Sequence, residues 1–171
     1  MINSTELFSS IKSTVNVIED DLKQLNNTGI FFAPELFIAF CIGRDIYKNK
    51  TEIFGTGEMK WSRELNLGNV GPSDNCFETK DNTIVIEVKI SDTKYSYVSD
   101  IIKLKKLTDP KYLKFFCVLI DSLIKKKDTR PEYLISKKEE QLRWIDEYSF
   151  PTAYSRYSSP TECHLILYQV T

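Results

Sequence analysis

Three residues carry the chemistry that this sequence can offer: Asp74, Glu87 and Lys89, within GPSDNCFETKDNTIVIEVKI at 71–90. The second half of that stretch, TIVIEVKI, is an apolar run interrupted by a carboxylate and an ammonium. Charges there cost free energy unless something pairs or coordinates them. Side chains on a strand alternate between its faces. Ile84, Ile86, Val88 and Ile90 therefore share one face and pack on the core, while Val85, Glu87 and Lys89 share the other. Glu87 and Lys89 become neighbours, roughly 6.5 Å apart at Cα. The tripeptide KDN at 80–82 reads as the turn of a hairpin that carries Asp74 on its first arm. A turn centred between Lys80 and Asp81 sets Asp74 opposite Glu87, and one centred on Asp81-Asn82 sets it opposite Lys89. Either register brings Asp74 onto the face of Glu87 and Lys89, whereas a turn centred on Asp81 alone flips it. Two carboxylates and a main-chain carbonyl suit a hard divalent cation such as Mg²⁺. Such a cation lowers the pKa of a bound water and stabilises charge on a phosphate oxygen. A lysine beside it can orient or deprotonate the attacking water, or neutralise developing charge.

The surrounding pattern predicts the elements that must hold these groups. Asn3, Ser4 or Thr5 can cap a first helix, and Leu7, Ile11, Val15, Ile18, Leu22 and Leu25 carry it to about residue 26. A second helix opens at Pro34 and runs PELFIAFCIGRDIYK, apolar on most sides and so central. Residues 49–70 are polar, with a helical turn around GEMKWSREL. After the hairpin a helix is expected from about Tyr97, and YLKFFCVLID reads as a strand buried on both faces. PEYLISKKEEQLRWIDEY, with Pro131 at its start, reads as a helix, FPTAYSRYSSPTE as a loop and CHLILYQV as a closing strand. That order predicts an α/β or α+β fold: one domain, 1–171, with a central mixed β-sheet flanked by helices.

Composition narrows the classes. The chain has 171 residues, enough to bury a core without disulfides or a structural metal. Its net charge is −1, so the whole-chain field does not single out a nucleic-acid partner, although the distribution of charge matters more than the sum. Cys41, Cys76, Cys117 and Cys163 form no CxxC pair, and Cys41, Cys117 and Cys163 sit in apolar runs as buried thiols. No signal peptide and no membrane span are expected, so a cytoplasmic protein with reduced thiols is the simplest reading.

Pro72, Asp74 and the triplet Glu87-Val88-Lys89 resemble the motif of the PD-(D/E)xK nuclease superfamily, which includes many type II restriction endonucleases. The resemblance implies a restriction-endonuclease-like core of helix, hairpin, helix and strand over 33–120, with an N-terminal helix in 1–30 and a C-terminal helix and strand in 121–171. It implies that Asp74 and Glu87 bind Mg²⁺ (Mn²⁺ as a substitute), that Val88 offers its carbonyl, and that Lys89 serves the attacking water. Glu35, in the first turn of the second helix, matches by position the carboxylate that many members add to the metal site. The implied activity is endonucleolytic hydrolysis of DNA, double-stranded and often by a homodimer. One departure is Ser73, which separates Pro72 from Asp74.

Blander readings stand beside this one. Glu87 and Lys89 could form an ion pair on the solvated face of an unrelated α/β protein. Asp74 could be a turn residue, and Glu35 could simply complement its helix N-terminus. Glu58 or Glu64 could replace Glu35. Asp100 and Lys103 read as a solvated helix face, and His164, the only histidine, as structural, which leaves no case for a Ser-His-Asp triad. Gly55-Thr-Gly57 lacks the ending of a phosphate loop. Lys103, Lys105 and Lys106, and Lys125 to Lys127 with Arg130, are basic clusters that a phosphate backbone would need, and the Tyr154 to Tyr157 loop could meet bases or sugars. A nuclease fold kept only for binding nucleic acid or protein is the alternative of a different class.

Overall fold

The computed structural model describes residues 2–124, 128–136, 142–153 and 159–171. Its helices are α1 (Ser4–Asn26), α2 (Glu35–Lys48), α3 (Lys50–Phe54), α4 (Lys94–Lys105) and α5 (Arg130–Ser136), with a 3-10 turn at Ile30–Phe32. The strands are β1 (Lys60–Ser62), β2 (Leu65–Asn66), β3 (Pro72–Ser73), β4 (Asn75–Glu78), β5 (Thr83–Ile90), β6 (Tyr112–Leu123), β7 (Leu142–Thr152) and β8 (Thr161–Val170). Six of them form one sheet in the order β1-β4-β5-β6-β8-β7, while β2 and β3 make a separate short ribbon. β5 and β6 run parallel, joined through α4, and every other neighbouring pair is antiparallel. The fold is thus α+β, a mixed sheet flanked by helices, as the pattern predicts.

The sheet divides the core in two. Ile84, Ile86 and Val88 of β5, with Phe115, Cys117 and Leu119 of β6, face α1, α2 and α3. Val85, Phe116, Val118 and Ile120 face the other way, onto Tyr97, Ile101 and Leu104 of α4 and Leu134 of α5. Because both faces are covered, β6 is a continuous apolar run rather than an alternating one. The four cysteines are all buried and unbonded.

α1 is fastened to the last third of the chain by one buried acid. Glu19 accepts from the N–H of Ile30 at 2.7 Å, from Thr152 Oγ1 at 2.8 Å and from the N–H of Ala153 at 3.1 Å. Its remaining charge is met by Lys23 at 3.1 Å.

Three local expectations fail. The helical turn around GEMKWSREL is instead strand β1, which pairs Lys60 to Ser62 with Glu78 to Cys76. α4 begins at Lys94, earlier than Tyr97, because the Thr93 side chain accepts the N–H of Ser96 and caps it there. The helix expected over PEYLISKKEEQLRWIDEY is α5 only as far as Ser136, and from Leu142 the chain is strand β7, which also takes up the start of the expected FPTAYSRYSSPTE loop. The cause is a bulge between Trp144 and Asp146, which admits Ile145 as an extra residue. It gives Leu142, Ile145 and Tyr148 a three-residue spacing that imitates a helix. Helix propensities differ by under about 0.7 kcal/mol per residue. Burying one large apolar side chain is worth ~1.5–3 kcal/mol, and β7 buries Phe150 while Ile145 and Tyr148 pack on the α1 side.

Candidate functional site

The β4–β5 hairpin fixes the first two groups. Its turn is closed by Thr79, whose N–H and Oγ1 donate to Asn82 O at 2.8 and 3.0 Å, while the N–H of Asn82 donates to Thr79 Oγ1 at 3.0 Å. Glu78 pairs with Thr83 and Asn75 with Ile86. One step further sets Asp74 opposite Glu87, so the turn is the one centred between Lys80 and Asp81. Asp74 sits between β3 and β4 and uses its side chain in place of the ladder: Oδ2 accepts the N–H of Val88 at 2.7 Å. The N–H and C=O of a strand residue share one edge, so the Val88 carbonyl lies along the Asp74 side of β5.

Glu87 is buried, 4 % exposed. Burial pushes its pKa up to about 7; Lys103 opposes that shift and the negative charge of Asp74 adds to it. Lys103 Nζ lies 2.7 Å from Glu87 Oε1 and donates to Pro72 O at 2.8 Å. Lys89 reaches the other way, to Glu35 Oε1 at 3.2 Å, Asp100 at 3.7 Å and Asp92 at 3.9 Å. Burial works against its charge, but Asp100, Glu35 and Asp92 outweigh it and hold the ammonium above its ordinary pKa. At neutral pH these partners favour the charged form of Lys89. For Asp100 burial prevails and raises its carboxyl above its ordinary value despite Lys89 and Lys103.

Glu35 arrives from the far side of the sheet. It is the first residue of α2, and its Oε2 accepts the N–H of Ile90 at 3.1 Å, ending β5 as it neutralises Lys89. The seating of α2 depends on Gly43. A Cβ there would lie 2.0 Å from Asn75 Oδ1, so only glycine lets Asn75 donate to Ala39 O at 2.9 Å and accept from Trp61 Nε1 at 2.9 Å. That contact locks the helix carrying Glu35 against the strand that follows Asp74.

Asp74, Glu87, Lys89 and Glu35 thus gather at the C-terminal end of β5, linked through β5 itself. Two residues assigned to a solvated face belong with them: Asp100 and Lys103, spaced i, i+3 on α4, point into the cluster rather than out. KLKK resembles a surface stripe, and only the packing of α4 on the sheet, over β6 and β8, turns its first lysine inward. Glu58 and Glu64 are exposed, and Glu35 is the acid that reaches Lys89. Arg130 is no open phosphate contact either. It is bound to Asp128 at 2.7 Å and Asp121 at 2.9 Å, and to the Asp121 carbonyl. Lys125 to Lys127 and Tyr154 to Tyr157 lie outside the described residues. His164 does have partners, Glu162 at 2.7 Å and Ser149 at 3.0 Å, on strands β7 and β8, away from β5. Ser149 is the residue directly across the sheet from His164, so a cross-strand hydrogen bond accounts for the contact.

For a hard cation the available donors are the Asp74 and Glu87 carboxylates and the carbonyls of Val88 and Pro72, all oxygen, the chemistry that Mg²⁺ favours. The Lys103 ammonium already lies between two of these oxygens. No group of three or more His, Cys, Asp or Glu among the described residues is gathered closely enough to hold a metal ion. Comparison with protein-family models, with curated proteins and with solved structures finds no match for this chain.

Proposed function

We propose that the chain is a divalent-cation-dependent endonuclease of the PD-(D/E)xK class, hydrolysing phosphodiester bonds of DNA. The observation that carries the reading is Glu87: a buried carboxylate set opposite Asp74 on a hairpin, with a cationic lysine two residues on. Mg²⁺, or Mn²⁺ in its place, supplies Lewis acidity toward water and phosphate oxygen when bound. Asp74 and Glu87 offer the carboxylate donors, and Val88 its carbonyl. Lys89 stands as positive charge for a developing phosphorane and as a donor to orient the water, in a partly dehydrated site where such charge is worth most. Glu35, anchored by the Ile90 N–H, holds Lys89 in place and is the helix carboxylate this reading would add to the cation. Duplex DNA is the substrate class this reading implies, and two copies acting together would meet its two strands. The four unbonded cysteines support a reducing, cytoplasmic setting.

The test is incubation of the purified chain with supercoiled and linear DNA in Mg²⁺, Mn²⁺ or EDTA, beside Lys89→Ala. Expected is cutting that requires the cation and falls by about 10²–10³ in the variant, the usual effect of deleting one charge-stabilising donor. Equal cutting by both proteins would remove Lys89 from the chemistry. A second reading, a non-catalytic module that binds nucleic acid or protein, is favoured by one feature: the Lys103 ammonium already pairs its charge with Glu87. Cation-independent DNA binding without cutting would select it.

A further inference from the structure

The Lys103 ammonium holds a position that resembles that of a bound cation. It touches a carboxylate oxygen of Glu87 at 2.7 Å and the main-chain oxygen of Pro72 at 2.8 Å. Its stem leans toward Gly71, where an added Cβ would come within 3.7 Å of Lys103 Cδ. Gly71 has φ +105, a conformation that favours glycine. The side chain is mostly covered, at 20 % exposed, so it is packed along this path rather than waving in solvent. Glu87 is more buried still, at 5 %, and Lys103 is the cation nearest it. Lys89, two residues along, is already committed to Glu35, Asp100 and Asp92.

We propose that Lys103 is a resident internal cation that gates the site: a divalent ion reaches Glu87 only by displacing the Lys103 ammonium. This rests on the reading of Asp74 and Glu87 as cation donors and adds a regulation of that site. A divalent ion beside the Lys103 ammonium would meet strong repulsion where the dielectric is low, and the ammonium lies on Glu87 Oε1 and Pro72 O, two of the oxygens the ion would need. Binding is therefore an exchange. The contact with Glu87 is given up, and the long lysine stem swings its head out toward solvent or toward whatever anion lies over the site. Affinity for the ion is lowered by the interaction surrendered, and selectivity favours ions of double charge over single.

Two measurements test this on the full chain. Mn²⁺ affinity is read by calorimetry for wild type, Lys103→Met, Lys103→Arg and Glu87→Gln, each checked for folding by circular dichroism. Lys103→Met is expected to bind at least about tenfold tighter than wild type, because no ion pair with Glu87 has to be given up first. Lys103→Arg, which keeps the charge, should bind like wild type, and Glu87→Gln should lose binding. Should Lys103→Met fail to fold, the wild type answers alone. Reductive methylation of lysines, mapped by mass spectrometry, should mark Lys103 weakly without cation and strongly with Ca²⁺. Equal Mn²⁺ affinity in wild type and Lys103→Met, or Ca²⁺ binding with Lys103 still protected, overturns the gate and leaves the cation site standing. Absence of binding in every variant overturns the gate together with the cation-site reading.

Discussion

Lys89 and Lys103 belong to one cluster yet have different tasks, and the difference is a matter of partners: Glu35, Asp92 and Asp100 for the first, Glu87 for the second. Lys89 has three acids around it and so keeps its proton. A base role for it, left open by sequence, is disfavoured by its surroundings. Glu35 is the hinge of that environment, because it serves both the Lys89 ammonium and the Ile90 N–H. Glu35→Ala should cost ~1–3 kcal/mol by urea unfolding, since it leaves a half-buried N–H and a cation short of an acceptor. Glu35→Gln should recover part of that, as its amide oxygen can still accept from Ile90. A cost for Ala no greater than for Gln would mean that water replaces the carboxylate. Asp74, Glu87, Lys89 and Glu35 were legible because strand parity and a Pro-initiated helix are local rules. Asp100 and Lys103 were not, since i, i+3 charges on a helix look the same whether they face water or a second layer.

The elements were legible wherever one period ran undisturbed. α1 keeps its heptad-like spacing from Leu7 to Leu22, β5 keeps Glu87 and Lys89 on one face, and β6 is a nearly continuous apolar run, so their types follow from pattern alone. β7 was illegible because one extra residue at its bulge shifts the alternation, and because charged residues of high helix propensity surround it. β1 was too short to show any period. The joint between α2 and β4 lies beyond pattern altogether: Gly43 matters through Asn75, a residue on another element. Gly43→Ala forces its methyl into the Asn75 amide, and such overpacking costs ~1–3 kcal/mol. Thermal unfolding should show the loss. An Ala variant as stable as wild type would mean that Asn75 can turn away at no cost. Asn75→Ala paired with Gly43→Ala should restore part of the stability, since the clash and its partner go together.

At the scale of the whole molecule, ion pairs between distant segments join what the sheet does not. Arg130, at the start of α5, ties Asp128 to Asp121 at the end of β6 and to the Asp92 carbonyl before α4. Arg130→Ala removes the ion pair with Asp121, whose side chain is 2 % exposed, and taking one partner out of a buried pair costs ~3–5 kcal/mol. Asp128 carries the pH signature. Burial alone would raise its carboxyl, but hydrogen bonds from Arg130 win and hold it below the ordinary value. A lowered acid stabilises the fold above its unfolded pKa of about 3.9, and that contribution is lost as pH falls through the folded value. Asp128→Asn should therefore be less stable than wild type at neutral pH and converge with it in strong acid, as melts across pH 2–7 would record. Parallel curves would assign the effect to packing. The Glu19 fastening has a consequence of another kind, for the chain as it is made. Glu19 and Thr152 are 133 residues apart. At about 5–20 residues per second, α1 leaves the ribosome roughly 7–27 s before β7 can reach it. Through that interval α1 can lean on α2, yet the acid at its centre has neither Thr152 nor Ala153 to receive. Made before the other elements described, α1 is among the last of them to be secured, and a nascent chain stalled before residue 152 has its Glu19 contacts incomplete.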